Sequence, residues 1–473
     1  MPHSLAAFCR SFALSLIVLF ALIAQPVRGE ATPVYGLRSA NACDTCHIEP
    51  SGWANPPVSE RLCTMDCNIC HVSPTGGGMR TPSGQYYGRE ILPTWGTRPS
   101  ASARAEKYLP RGYPAKGRYR LFEGFEGWWP GQVPAKEIAE RYGDIDPGEF
   151  GQGLVARVGG DVRLAVYAPR GASQDTSAFP MQAELYGMIR PFDPLTLYGT
   201  VGLQGSRSQL DVTGSDARSG YDKALDYLTV RELFVKVDRL PSNSWVRAGR
   251  FVPVYGWRLP DHTSFIRRDL GFDYGRQVFG VEGGWNPNYP VLVGSVFKQG
   301  LDAWPGDVCQ GAGSACPQEG FGGAGSVGYR ALGWQIMGNA HYLDRADGPA
   351  DATGGISWGV NLYPLVYLGE LDYRRTIQSD PAQADINGLF AYHELDLLVA
   401  RGVNLKFKYD WRDADLDLLD NEVYRITTGV EWHPVTYVDL EFQYRTNLAN
   451  AAPGRSTVGT SLSELLFIGH LWF

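Results

Sequence analysis

The feature that most restricts the fold is an alternation of period two held over about ten residues. Val403-Asn404-Leu405-Lys406-Phe407-Lys408-Tyr409-Asp410-Trp411-Arg412 alternates apolar and polar side chains over ten positions, and Val438-Asp439-Leu440-Glu441-Phe442-Gln443-Tyr444-Arg445 does so over eight. Successive side chains of a strand point to opposite faces, so each stretch has one oily and one wet face. Sixteen such stretches are predicted: 161–168, 181–191, 195–206, 224–237, 243–254, 275–286, 290–300, 321–330, 333–345, 354–363, 366–376, 389–399, 403–413, 421–432, 436–447 and 460–473. Their connections alternate between tight turns, such as Pro191-Phe192-Asp193-Pro194 and His433-Pro434-Val435, and long polar loops at 207–223, 255–274, 301–320 and 448–459. Short periplasmic turns alternating with long outer loops are the pattern of a transmembrane β-barrel. An even strand count puts both ends of the barrel on the periplasmic side. The chain ends Leu471-Trp472-Phe473, and a terminal aromatic on a last strand suits the same reading. A large soluble antiparallel β protein would leave the loop parity and Phe473 unexplained.

The expected fold class is therefore all-β: a transmembrane outer-membrane β-barrel of about 16 strands over residues 153–473. Gly (57), Tyr (25), Phe (20) and Trp (13) are abundant, as many strands and turns require. A net charge of −7 argues against nucleic acid as a partner. Residues 1–29 read as a cleaved secretory signal, with Arg10 ahead of the apolar run Phe12 to Ala24 and small residues up to Gly29. That run is short for a membrane-spanning helix, and no second long apolar run follows it.

Residues 30–120 are unlike the barrel. Cys43-Asp-Thr-Cys46-His47 and Cys67-Asn-Ile-Cys70-His71 repeat one motif, and each copy continues His-x-x-Pro-[Ser/Thr]-Gly. Cys-x-x-Cys-His is the spacing of c-type haem attachment. The two thiols of each copy would form thioethers to a haem, and His47 and His71 would be the proximal iron ligands. Four Cys and two His can also bind zinc, but a His directly after the second Cys serves haem better than a tetrahedral zinc site. The expected cofactors are thus two covalently bound c-type haems on a mostly irregular segment rich in Pro and Gly. Met79, across the run Gly76-Gly77-Gly78, which permits a sharp return, and Met65, between the motifs, are candidate distal ligands. Among the barrel histidines, His470 and His433 fall near the periplasmic mouth. Residues 121–152 read as a linker.

The remaining cysteines carry less. Cys63 precedes the second motif and has no assigned role. Cys309 and Cys316 lie in a Gly-rich outer loop of an exported chain, where a disulfide is the expected state. The acidic run Asp413, Asp415, Asp417, Asp420 and Glu422 reads as a solvated loop that could hold a hard cation.

With its two haem motifs and the trailer Pro74-Thr-Gly-Gly-Gly-Met79-Arg80 ahead of the barrel, the chain resembles the fused porin–cytochromes of the bacterial outer membrane. The resemblance covers the mature chain in architecture. Members from iron-oxidising bacteria look monohaem, whereas this chain has two sites. The resemblance implies electron transfer across the outer membrane, between a periplasmic c-type cytochrome and an extracellular donor or acceptor such as Fe(II)/Fe(III). It implies a bacterial outer-membrane location, with lipid around the barrel and the N-terminus in the periplasm or the lumen. An electron-transfer protein is expected rather than an enzyme. The alternatives are a diffusion porin with a haem-bearing docking or gating segment, or a haem enzyme acting on a small oxidant.

Overall fold

In the computed structural model, residues 67, 70–81, 84, 88, 92–95, 155–170, 176–192, 194–204, 228–240, 244–261, 263–272, 277–286, 290–299, 319–331, 334–346, 348–362, 364–449 and 462–473 are described. The leader, the first haem motif (Cys43, Cys46, His47), Met65, Cys63, the 121–152 linker, and Cys309 and Cys316 lie outside these residues.

The strands are β1 (Val155–Arg170), β2 (Ser177–Phe192), β3 (Leu195–Gln204), β4 (Leu228–Thr229), β5 (Leu233–Leu240), β6 (Ser244–Phe251), β7 (Val278–Trp285), β8 (Pro290–Gln299) and β9 (Gly320–Ala331). They continue as β10 (Trp334–Arg345), β11 (Ala350–Leu362), β12 (Leu365–Ile377), β13 (Ile386–Ala400), β14 (Val403–Asp413), β15 (Val423–Trp432), β16 (Val438–Ala449) and β17 (Leu462–Trp472). Every neighbouring pair is antiparallel, and β1 closes the sheet on β17 from Asp161↔Trp472 to Arg170↔Ser463. Both β4 and β5 lie against β3, so the 17 strands make a closed barrel of sixteen staves. Each predicted stretch overlaps one stave.

The break in the fourth stave is a specific device. At 230–232 the chain leaves the ladder, and the Thr200 hydroxyl accepts the amides of Arg231 (3.0 Å) and Glu232 (3.1 Å). The irregularity re-aims side chains, as bulges next to sites do. Arg231 turns to Glu184, and Glu232 reaches the residues that fill the barrel.

Polarity runs opposite to that of a soluble core. On β14, Leu405 and Phe407 are 42% and 43% exposed, whereas Lys406, Lys408 and Asp410 are 7%, 2% and 1% exposed. A soluble sandwich would bury the apolar row; here it faces outward, as lipid requires. Exposed Trp285, Tyr329 and Trp334 gather at the short-turn end, and Tyr342 and Tyr373 lie toward the other, giving the two aromatic belts of a membrane barrel. Short turns and both barrel termini share one end.

One loop departs from the sequence reading. The stretch after β6, expected as a long polar outer loop, turns into the lumen. It carries the one-turn helix α1 (Phe265–Arg268). Tyr255, Trp257, Leu259, Phe265, Ile266, Leu270 and Phe272 pack on Val366, Leu368, Phe390 and Tyr392 of β12 and β13. So many apolar side chains would be poorly placed in an aqueous outer loop.

If the outward row faces lipid, Phe407→Arg near the middle of β14 should cost about 2–4 kcal/mol of folding stability. Urea titration in lipid vesicles would measure it.

Candidate functional site in the barrel lumen

The second Cys-x-x-Cys-His motif lies inside the barrel. Residues 70–81 form a tight hairpin. The Val72 amide donates to the Met79 carbonyl (3.0 Å), the Thr81 amide donates to the Cys70 carbonyl (3.0 Å), and His71 bridges Arg80. The return is made by Gly76, Gly77 and Gly78, at φ of 88°, 75° and 61°, a left-handed run that side chains other than glycine resist. The sequence-based expectation of a sharp return across this glycine run matches the observed turn.

The wall holds the hairpin through its backbone and small side chains. Lys236 on β5 donates to the Val72 carbonyl (3.0 Å), and Tyr198 on β3 accepts the Met79 amide (3.1 Å). Ser73 donates to Glu232 (3.0 Å) and accepts from Arg247 on β6 (3.1 Å). Arg247 also reaches Thr75 (3.2 Å) and pairs with Glu282 on β7 at 2.6 Å. Val72 and Met79 share a buried cluster with Tyr186, Tyr198, Phe234 and Phe251. Most of these anchors lie three to five residues from the short-turn rim, roughly 10–16 Å along a strand at about 3.3 Å per residue. The seat is therefore in the half of the lumen near that rim.

The inward loop meets the hairpin tip, where Arg258 donates to Thr75 (2.7 Å). The loop is pinned to the opposite wall. The Trp257 amide donates to Glu370 (2.6 Å), the Tyr255 hydroxyl to Asp372 (2.7 Å), and Asp261 pairs with Arg445 (2.9 Å) and Lys408 (3.4 Å). Burial alone would raise the Asp261 carboxyl; Arg445, Lys408 and Arg425 override it and hold it well below its ordinary 3.8.

The chain leaves toward the rim. Arg80 lies 3.6 Å over the Trp472 ring. Thr94 and Trp95 dock on the β15–β16 turn, their amides donating to the His433 and Pro434 carbonyls (both 2.8 Å), and the Thr94 hydroxyl donates to Arg401 (2.8 Å).

A c-type haem needs two thiols and an imidazole on one turn. The Cys67 carbonyl accepts the amides of His71 (2.9 Å) and Cys70 (3.2 Å), so the three residues share a helical turn. The Nδ1 of His71 is buried without a hydrogen-bond partner. Desolvation, and then the positive charges of Arg80 and Arg258, push the imidazole down to about 3, so it is neutral at physiological pH, the form that binds a metal. The residues present fit the group. Met79, the candidate distal ligand, is seated in the wall cluster beside Val72, while His71 is paired with Arg80. A role on iron would require its thioether to leave that cluster.

Sequence reasoning did not single out Tyr198, Glu232, Lys236, Arg247 or Arg258. The available signal was strand parity, which puts a charged residue on the lumen face at Lys236 and Arg247.

No protein-family profile matches this chain, and no curated protein matches it. Solved structures do. OmpT of Vibrio cholerae in its trimer form is 10% identical with a TM-score of 0.48, covering 68% of this chain and 100% of that one. An anion-selective porin from Comamonas acidovorans is 12% identical with a TM-score of 0.49, covering 68% and 100%. OprB of Pseudomonas putida is 10% identical with a TM-score of 0.41, covering 68% and 94%.

Two outcomes are expected. A Cβ on Gly78 would lie 2.5 Å from the Tyr198 hydroxyl at a φ already unfavourable to side chains, so Gly78→Val should unseat the hairpin and raise ion conductance in planar bilayers. The Asp261 contacts contribute fully above the carboxyl's ordinary value of 3.8 and are lost only as pH falls toward its depressed one. The difference in single-channel conductance between the natural protein and Asp261→Asn should therefore persist from neutral pH down to about pH 4. Asp261→Asn should loosen the loop across that whole range.

Proposed function

We propose that this protein is an electron conduit of the bacterial outer membrane, a porin-like barrel whose lumen holds a haem-bearing segment. The supporting observation is the seat of the second motif: Cys67, Cys70 and His71 lead into a hairpin gripped by Tyr198, Glu232, Lys236 and Arg247 inside the wall. A purely periplasmic haem domain could not serve the far surface, because the apolar band of such a barrel is about 25 Å tall.

In this reading Cys67 and Cys70 carry thioethers, and His71 is the proximal ligand. Cys43, Cys46 and His47 do the same for a second haem. Bound there, haem would supply a one-electron Fe(III)/Fe(II) couple. The hairpin's hydrogen bonds fix the height of His71 in the lumen. Arg80 and Arg258 place positive charge beside it, which suits the propionate carboxylates of a haem. The inward loop and the hairpin together occupy lumen that would otherwise conduct ions. A periplasmic c-type cytochrome and extracellular iron are the proposed partners.

A second reading is a diffusion porin gated by the hairpin. It is favoured by the sixteen-stave barrel with a loop folded into its lumen, and by anchors made of hydrogen bonds that can be broken one by one. The readings part in proteoliposomes. A conduit with a reduced dye inside should reduce external Fe(III) without releasing small sugars, whereas sugar flux without electron transfer would support the porin. Pyridine haemochrome assay should give two haems per chain, and one in the Cys67→Ser/Cys70→Ser variant. No haem in the natural chain would overturn the conduit.

A further inference from the structure

The short-turn rim carries a cluster that neither reading uses. Glu431 is the last residue but one of β15, His433 opens the turn after it, and Asp439 is the second residue of β16. One donor atom from each lies within 4.8 Å of the others. His433 Nε2 is 3.9 Å from a Glu431 oxygen, and its Nδ1 is 3.9 Å from Asp439 Oδ1. A second imidazole approaches from the neighbouring strand: Asp439 and His470 are register partners of β16 and β17, and His470 Nδ1 is 3.8 Å from Asp439 Oδ2.

Asp439 is the informative member. Its Oδ1 is buried and has no hydrogen-bond partner, although imidazoles flank the carboxylate on both sides. The gaps of 3.8–3.9 Å are too long for hydrogen bonds. The Asp439 gaps lie within the roughly 3–4 Å that two donors span when each sits about 2.0–2.2 Å from one shared ion, and Glu431, which approaches the other ring nitrogen of His433, keeps a donor atom within 4.8 Å of both. Lys406 takes the other Glu431 oxygen at 3.1 Å, and the Asn404 side-chain amide donates to Oε2 at 3.0 Å, holding it beside His433. The turn itself is built for close approach. Tyr437 adopts a φ of 68°, which brings the ends of β15 and β16 together. The His433 amide is tied to the Gly402 carbonyl at 2.7 Å.

We propose that Glu431, His433 and Asp439 form a site for a divalent first-row transition-metal ion, with His470 placed to add a second imidazole. Mixed imidazole and carboxylate donors suit Zn²⁺, Fe²⁺ or Mn²⁺ better than the soft Cu(I) or the oxygen-seeking Ca²⁺. The site lies under the backbone carbonyls of His433 and Pro434 that receive Thr94 and Trp95. A bound ion would therefore stiffen the turn on which the lumenal segment is moored as it leaves the barrel.

The test uses the full-length protein in detergent, stripped with chelator and equilibrated with Zn²⁺. Elemental analysis should find one zinc more per chain in the natural protein than in His433→Gln or Asp439→Asn, with barrel folding checked by heat-modifiable gel mobility. Equal zinc in folded variants and natural protein would overturn the proposal. Should the variants misfold, calorimetric titration of the natural protein decides: saturable binding of one Zn²⁺ that Ca²⁺ fails to displace supports the site, and its absence overturns it.

Discussion

One guanidinium ties the contents of this barrel together. Arg247 is fully buried, and its charge is met by Glu282 at 2.6 Å and Glu232 at 3.7 Å. From that pairing it donates to Ser73 and Thr75 of the hairpin and to the Val252 carbonyl, where the inward loop begins. Phe251 lies 4.3 Å beneath it. Removing one member of such a buried pair leaves a charge without compensation, at roughly 3–5 kcal/mol, so wall, hairpin and loop are coupled through this one side chain. The break in the fourth stave belongs to the same arrangement, since it is what brings Glu232 into reach.

Among the described residues, the lumen is thereby divided between two occupants with different chemistries. The hairpin is held mainly by hydrogen bonds to the β3–β7 side. The inward loop buries an apolar face on β12 and β13, and its polar groups are taken by Glu370, Asp372 and the Asp261 cation cluster. They touch at Arg258 and Thr75. Displacing the loop exposes aromatic surface to water and breaks ion pairs together. Displacing the hairpin exposes only Val72 and Met79 of its own apolar side chains, and the polar contacts it breaks are ones that water can partly replace. The hairpin is the more readily exchanged of the two.

The barrel was legible because lipid on one side and a wet lumen on the other impose alternation on every strand, and that signal adds up over sixteen staves. The return at Gly76–Gly78 was legible for a local reason, since three consecutive glycines permit what few other sequences do. The inward loop has the length and position of an outer loop, so sequence alone places it outside. Its content was the neglected clue: Tyr255, Trp257, Phe265, Ile266 and Phe272 need a partner surface. The anchors Tyr198, Glu232 and Lys236 could not be picked out, because a lumen-facing polar residue looks the same whether it meets water or a hairpin. The rim cluster was half visible. His433 and His470 were placed near the mouth, but their convergence on Asp439 depends on the register of β16 and β17, which a single sequence does not reveal.

Anchoring at two points has a consequence for how the lumenal segment stays in place. Residues 70–81 are held inside the wall, and residues 92–95 are held at the rim by four hydrogen bonds and by the Trp95 ring, 5.5 Å from Trp432. The tether between them is short, so while the rim contact holds, the hairpin's local concentration at its seat is on the order of millimolar or more. Loss of the lumen contacts alone is then followed by rebinding, and loss of the rim contact alone leaves the hairpin seated. Escape requires both at once. The tight turn at the end of β15 therefore helps decide whether the lumen is filled.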